Sequence, residues 1–461
     1  MNNKQARITF YGGVGWVTGA NFLLENIIEN GKSTKILIDC GMYQGGRASF
    51  EKNAEDFHYN PADIDVLIVT HGHADHIGRI PKLVRDGFRG VIYSTKPTYD
   101  LVQVMFQDSL TIMTQEAKKR EIEPTFSQAD IDQALSQWKY VSYHNQVDLP
   151  GGFTVRLYDA GHILGSAIAK FSYGEKNIVF TGDLGNSPDP LLNDSEIIDD
   201  ADYMVIESVY GDRNHEERDE RIEKLEKAIL RTVAERGVLL IPSFALERTQ
   251  NLLYVINDLV ESKRVPELPV YLDSPLASKI TDIFRANTEY FKQDVQESLK
   301  TDDDVFGFPG FVETQSVDDS KAILRQPNPK IIISSAGMSH AGRIIHHEKQ
   351  YLGHPNTTLL FVGYQAVGTM GRMIQDGAES ITIFKDKIDI KARVETISGY
   401  SAHKDSDGLV EFVSHSAGRL KQVFVAMGET KSSLFLVQRI RDYLGVPAVA
   451  PDTDESVILD C

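Results

Sequence analysis

The apolar run VLIV at residues 66–69 breaks directly into THGHADHIG, and that junction constrains this chain more than any other stretch. The run reads as a buried strand. It is followed by four metal-binding side chains within six positions: His71, His73, Asp75 and His76. In an extended segment residues two apart point the same way, so His71 and His73 can grip one ion. Asp75 and His76 come after the chain turns toward the next helix, which aims them at a neighbouring point. One loop therefore begins two metal sites, and the missing ligands must come from other strand ends on the same edge of the sheet. The sequence supplies His162 in DAGHILGSA and Asp183 in FTGDLGN.

Counting favours two metals. His71, His73 and His162 serve the first; Asp75, His76 and a later histidine, taken as His403 in SGYSAHKDSD, serve the second; Asp183 bridges them. Imidazole and carboxylate without thiolate suit zinc, and manganese or iron also fit such a set. Two ions about 3.5–4 Å apart lower the pKa of a bridging water and stabilise charge on attacking and leaving oxygens, which is machinery for hydrolysis. His58, His144, His215, His354 and His415 lack such company and read as ordinary surface or core residues.

The rest of the 461-residue chain frames this cluster. Its first half alternates strand-like runs (RITFYGG, STKILIDCG, GVIYST, FTVRLYDAGH, NIVFTGDLG) with loops, and helical spacing marks TYDLVQVMFQDSLTIMTQEAKKR and SQADIDQALSQW. After VIESVYGDR the pattern becomes a regular alternation of helix and strand, which predicts a parallel sheet covered by helices. From about residue 382 the earlier style returns. The expected organisation is one domain, residues 1–208 and 382–461, interrupted by an inserted α/β domain at 209–381. The charge run at 214–227 reads as a solvated helix face. With two cysteines, Cys40 and Cys461, no disulfide framework or thiolate zinc site is expected. No leader and no membrane-spanning stretch is evident, so a cytoplasmic setting is expected. The formal net charge of −18 argues against a polyanionic substrate unless local cations hold it.

At this point the residues carry a resemblance. THGHADHIG is similar to the His-x-His-x-Asp-His signature of the metallo-β-lactamase superfamily, and Asp39, His162 and Asp183 fall in that superfamily's order. VIESVYGDR, IPSFALERTQ, YLDSPLASKITDIF, IIISSAGMSHAGRIIHH, VGYQAVGTMGR and SGYSAHKD resemble successive landmarks of the β-CASP nucleases, such as RNase J and the polyadenylation-factor endonuclease. The resemblance runs from about residue 7 to about 430. It implies an α/β fold, an αββα sandwich with an inserted α/β (β-CASP) domain capping the metal edge and the active site in the cleft between. It also implies that Asp39 orients the ligands from behind.

By the same resemblance, a bridging hydroxide on two zinc ions attacks a phosphodiester of single-stranded RNA. Asp75 serves as proton acceptor, and Glu207 acts near the leaving group. Histidine at 403, where the DNA-repair branch has valine, supports RNA. Arg248, Arg343, Arg372 and the SSAGM turn with Ser334, Ser335 and Gly337 are expected to hold phosphates, the turn through backbone N–H groups ahead of a helix. Both endonucleolytic and 5′-to-3′ exonucleolytic members exist, and endonucleolytic cutting is the expectation. Two departures stand out: no histidine follows Arg372, where relatives of the polyadenylation endonuclease place one that helps Glu207, and Met427 in VAMGE replaces the histidine of Val-His-Gly-Glu. His340, His346 and His347 are upstream candidates for the first role. Residues 422–447 offer a homodimer contact, although their apolar spacing is more simply core. The rival readings are a small-molecule thioester or lactone hydrolase, which leaves the insertion unexplained, and a weakly active RNA-binding scaffold.

Overall fold

The computed structural model describes residues 4–461 apart from 29–30, 46–47, 216–217, 302–303, 364, 367, 398 and 400. Tyr364, Val367, Ser398 and Tyr400, inside two of the landmark segments quoted above, and part of the 214–227 charge run lie outside the described residues. The chain forms two compact units, one of Met1–Asp189, Asn193–Asn214 and His403–Cys461, the other of Pro190–Leu192 and His215–Ala402.

The first unit is built on two seven-stranded sheets. One runs in the order Ser456–Asp460, Gln5–Gly12, Asn21–Asn26, Lys35–Ile38, Val66–Ile68, Val91–Ser94, Trp138–Tyr140. The other runs Ala448–Val449, Gln422–Val425, Tyr203–Ile206, Lys176–Phe180, Ala167–Tyr173, Thr154–Asp159, Val147–Asp148. Alternate residues of a strand face opposite sides, and here both sides are apolar. Ile36, Ile38, Val66 and Ile68 pack inward with Phe10 and Phe22 against Phe171, Phe180, Val205 and Phe424 of the facing sheet. Their neighbours Leu37, Leu67 and Val69 pack outward, against Ile77, Leu83 and Phe106 on helices. On the second sheet Val179, Met204 and Val423 likewise pack outward, against Leu409, Val413 and Leu436. The result is helix, sheet, sheet, helix: the αββα sandwich. Burial on both faces explains why VLIV is continuously apolar instead of alternating. Burying each such side chain is worth roughly 1.5–3 kcal/mol.

Parallel pairing sets the strand ends in one place. Lys35–Ile38 runs parallel to Val66–Ile68 in the first sheet, and Lys176–Phe180 parallel to Tyr203–Ile206 in the second. Asp39, the 70–76 loop, Asp183 and Glu207 all follow carboxyl ends of these strands, the edge where open α/β sheets place their ligands.

The second unit holds a six-stranded parallel sheet in the order Phe311–Glu313, Val270–Leu272, Lys330–Ser334, Val238–Pro242, Thr357–Phe361, Arg393–Thr396. Arg393–Thr396 is its edge strand, so residues 382–402 cluster with this unit and not with the sandwich to which the sequence pattern returned them. The preceding hairpin Ser380–Ile383/Asp386–Asp389 turns through Phe384 and Lys385 at φ +49° and +75°, as a two-residue turn requires.

Candidate metal centre

The ligand loop is shaped by a carboxylate behind it. Asp39 is buried and sits at φ +56°, which directs its side chain under the loop. Its Oδ1 accepts the backbone N–H of Thr70 at 2.8 Å, and its Oδ2 accepts the Thr70 hydroxyl and His76 Nδ1, both at 2.7 Å. Holding Nδ1 this way leaves Nε2 of His76 as the donor toward a metal. The turn itself is the short helix Ala74–Ile77, begun by His73, whose carbonyl accepts the N–H groups of His76 and Ile77. Gly41 packs against it so closely that a Cβ there would lie 1.5 Å from the Asp75 carbonyl oxygen.

Four donors then converge: His71, His73, His162 and Asp183. His73 Nδ1 lies 3.1 Å from His71 Nε2 and 3.2 Å from His162 Nε2, and Asp183 Oδ2 lies 3.5 and 3.6 Å from the same two Nε2 atoms. Metal–nitrogen bonds of 2.0–2.1 Å give a tetrahedron edges of about 3.3–3.4 Å, so these separations suit one ion at the centre. Burial pushes His73 and His162 well below the ordinary histidine value and lowers His71, which makes all three rings neutral acceptors facing one another. Burial also works against the charge of Asp183, but His76 and His71 overcome it and hold that carboxyl well below the usual range. Such a set of acceptors is satisfied by a cation.

The neighbouring position is less complete. Asp183 Oδ1 and His76 Nε2 face each other at 3.3 Å, and both are buried without a hydrogen-bond partner among the described residues. Unpartnered buried polar atoms are rare and demand a ligand or an ion. Burial resists the charge on His76, yet Asp183 and Asp39 together hold its pKa well above the ordinary value, so His76 would give up a proton on binding an ion here. Burial raises the carboxyl of Asp75, with His76 opposing.

His403, expected at this second position from the sequence, groups with Asp183 and Glu207. Its backbone bridges Gly185 and places it beside Asp183, but its Nδ1 faces the Glu207 carboxylate at 3.2 and 3.3 Å, with Asp183 Oδ2 at 3.8 Å. Asp183, Glu207 and His403 form a second compact donor group that does not include Asp75 or His76. Glu207 is 1% exposed and accepts the Leu184 N–H at 2.6 Å. Burial opposes the charge of His403, but Glu207 outweighs it and pushes the pKa up to about 9.

The phosphate-holding candidates lie in the second unit, where the structure gives each of five a local partner. Arg248 is buried and donates to the Val362 carbonyl; Arg372 pairs with Asp376. Arg343 donates to Asp273 at 2.7 Å and to the Gln315 carbonyl at 2.9 Å; Ser334 donates to the Asp273 carbonyl; Ser335 accepts from Ser274. Gly337 lies where a Cβ would meet Phe244 at 2.9–3.0 Å. His347 also bonds Asp273, at 2.7 Å, and the His346 ring packs tilted against Phe384, with centroids 4.8 Å apart. Two residues escaped the sequence reading. Thr70, which links Asp39 to the histidines, is signalled only by its place directly before His71; Asp273, the hub of the second unit, had no signal beyond lying at a strand end.

Fold and donor set together define a metal-dependent hydrolase of the metallo-β-lactamase class. Comparison with known proteins narrows this. Residues 27–211 match the metallo-beta-lactamase superfamily domain, 249–374 the Beta-Casp domain, and 387–451 the Zn-dependent metallo-hydrolase RNA specificity domain. The chain is 33% identical to Ribonuclease TTHA0252 of Thermus thermophilus over 88% of its own length and 90% of that protein's. It is 30% identical to Transcription termination factor FttA of Methanothermobacter thermautotrophicus, covering 95% and 69% of the two chains, and 29% identical to that of Cenarchaeum symbiosum, covering 99% and 71%. A solved protein of unknown function from Enterococcus faecalis shares the fold across 99% of this chain, at a TM-score of 0.56 and 12% identity. The chain belongs to the β-CASP family of metallo-hydrolases. No helix among the described residues is long and apolar enough to cross a membrane.

Proposed function

We propose that this chain is a ribonuclease that hydrolyses internal phosphodiester bonds of single-stranded RNA in the cytoplasm, using divalent ions of which zinc suits the donors best. The observation that carries the reading is the convergence of three neutral imidazoles and one carboxylate, with two unpartnered buried atoms, His76 Nε2 and Asp183 Oδ1, beside them. The match of 387–451 to an RNA specificity domain, and the Thermus relative's name, favour RNA over a small ester.

His71, His73, His162 and Asp183 would hold one ion; His76, the other oxygen of Asp183 and Asp75 would hold a second. Bound ions of this kind acidify water and stabilise charge on phosphate oxygens. The chain's own residues supply the remaining tasks. Asp75, whose carboxyl is raised by burial, is suited to accept a proton on the attacking side. Glu207 and His403 make the complementary pair: the carboxylate fixes one side of the ring and favours its imidazolium form, while the His403 side chain retains 23% exposure. His403 therefore donates the proton to the leaving oxygen, the task left open by the absence of a histidine after Arg372.

The test is cleavage of end-labelled single-stranded RNA and matched DNA by the zinc-loaded chain and by His403→Ala. RNA alone should be cut into internal fragments. The variant should retain its metal and lose about 10²–10⁴-fold in turnover. Intact RNA with metal bound overturns the reading and directs the search to thioesters and lactones; a 5′-end trimming ladder moves it to an exonuclease.

A further inference from the structure

The loop Gly13–Gly19, sequence GVGWVTG, carries a tryptophan that neither the metal centre nor the core absorbs. Trp16 is 45% exposed, whereas the other tryptophan, Trp138, is buried and donates its indole N–H to Ser94. Trp16 stands edge-on to Tyr43, with ring centroids 6.1 Å apart and planes at 77°. The ammonium of Lys52 lies over both rings, 4.8 Å from Trp16 and 4.2 Å from Tyr43. Tyr43 is only 6% exposed and is pinned by Asn53, which accepts its backbone N–H and donates to its carbonyl. The indole is thus a half-open aromatic surface on a fixed base, with a cation beside it.

Its position gives the surface a use. At one end of the loop Met427 donates its N–H to the Gly13 carbonyl; at the other Ala20 donates to the carbonyl of Asp75 at 2.9 Å. Gly41 and Met42, the residues before Tyr43, donate to the Ala20 and Ala74 carbonyls. Both strands of the platform are therefore tied by backbone hydrogen bonds to the turn that carries Asp75 and His76. Single-stranded nucleic acid is held by base stacking on aromatic rings combined with cations for the backbone, and an exposed indole with an ammonium over one face offers its other face and a charge together.

We infer that Trp16, backed by Tyr43 and Lys52, is a stacking platform for a nucleobase of the RNA strand, placed on the rim of the metal centre; the inference rests on the ribonuclease reading above. The platform supplies affinity without base identity, because every base presents a π face.

The experiment uses the full chain and its two tryptophans. Emission is followed while metal-stripped protein, which cannot cut, is titrated with a single-stranded oligoribonucleotide, with an abasic ribose-phosphate oligomer of equal length, and with inorganic phosphate. RNA should quench emission in the native chain and in neither Trp16→Leu nor with the abasic strand; Trp16→Phe, which keeps a ring, should bind RNA nearly as tightly as the native chain by anisotropy of labelled RNA. With metal restored, Trp16→Leu should raise KM for RNA about ten-fold, and its preference for RNA over the abasic strand should fall by the same factor. Equal KM in both chains together with unquenched emission overturns the platform and leaves the ribonuclease standing. Quenching without any cleavage by the metal-loaded native chain does the reverse.

Discussion

Asp183 and Asp273 make an instructive pair. Both are buried aspartates just past the end of a strand, one in each unit, and both stand beside histidine. Asp273 has both oxygens engaged: Oδ1 accepts from Thr314 and Arg343, Oδ2 from Ser320 and His347. Asp183 faces His71, His162 and His76, and its Oδ1 has no hydrogen-bond partner among the described residues. Residue type and burial are alike, so what separates a structural carboxylate from a metal ligand is whether its lone pairs are already satisfied. Donors that offer a fixed N–H close the site at Asp273; at Asp183 the lowered imidazoles of His71 and His162 face Oδ2 as acceptors, and the proton on His76 is one that a bound cation would replace.

The contrast can be broken by substitution. Asp183→Asn should cost on the order of 10³-fold or more in RNA cleavage, with metal content falling when measured by mass spectrometry of the desalted protein. Unchanged metal content would place the ions elsewhere. Asp273→Ala should leave metal content intact and instead cost about 3–5 kcal/mol in urea unfolding, because Arg343 and His347 lose a buried partner; loss of metal without loss of stability would erase the distinction drawn here. Asp39→Asn tests the same logic one step back from the metal. It keeps the volume but weakens the hold on His76 Nδ1, and metal affinity should drop about 10–100-fold by competition with a chelator.

The smallest expected effect concerns pH. Asp273 sits below its ordinary value: burial works against its charge, but hydrogen bonds led by His347 overcome it. Its contribution to stability is present above the unfolded value of 3.8 and is lost as pH falls beneath it. Glu348 is the opposite case. It is fully buried with Ser339 as donor to one oxygen and none to the other, and burial pushes it up to about 7 from 4.5. The folded state then holds a proton that the unfolded state releases, so its contribution is whole below about 4.5 and is lost as pH rises through about 7. Unfolding midpoints at pH 5 and pH 8 should differ less in Glu348→Gln than in the native chain; an equal difference would mean that the proton resides elsewhere.

Much of the sandwich was legible because its strands leave a strong trace. Runs such as KILI and KNIVF are buried on both faces and bounded by turn residues, and the long helix Lys96–Arg120 shows its apolar spacing plainly. The short strand Trp138–Tyr140 leaves no trace in the pattern, which carries the preceding helix on to Trp138, since three residues carry no period. The sequence pattern returns at about 382, whereas contacts group residues up to 402 with the inserted unit, because a hairpin followed by an edge strand has the same local texture in either unit. In the metal centre, His71, His73 and His162 could be grouped from spacing and strand ends. His403 is legible as a donor near Asp183, but not the partner of its Nδ1: a histidine has two nitrogens, and its sequence position does not say that a carboxylate from Glu207, 196 residues away, faces one of them.

The sequence by itself determined the local terms: which runs become strands, where the chain turns, and that imidazoles and carboxylates gather in one loop, because these depend on neighbours two to four residues apart. Tertiary structure alone decided which lone pairs remain open. Asp39 holds Thr70 and His76 across 31 and 37 residues, Glu207 faces His403, and Asp273 is satisfied from four directions. A hydrogen bond is an agreement between two groups in space, and burial then sets which proton each one keeps.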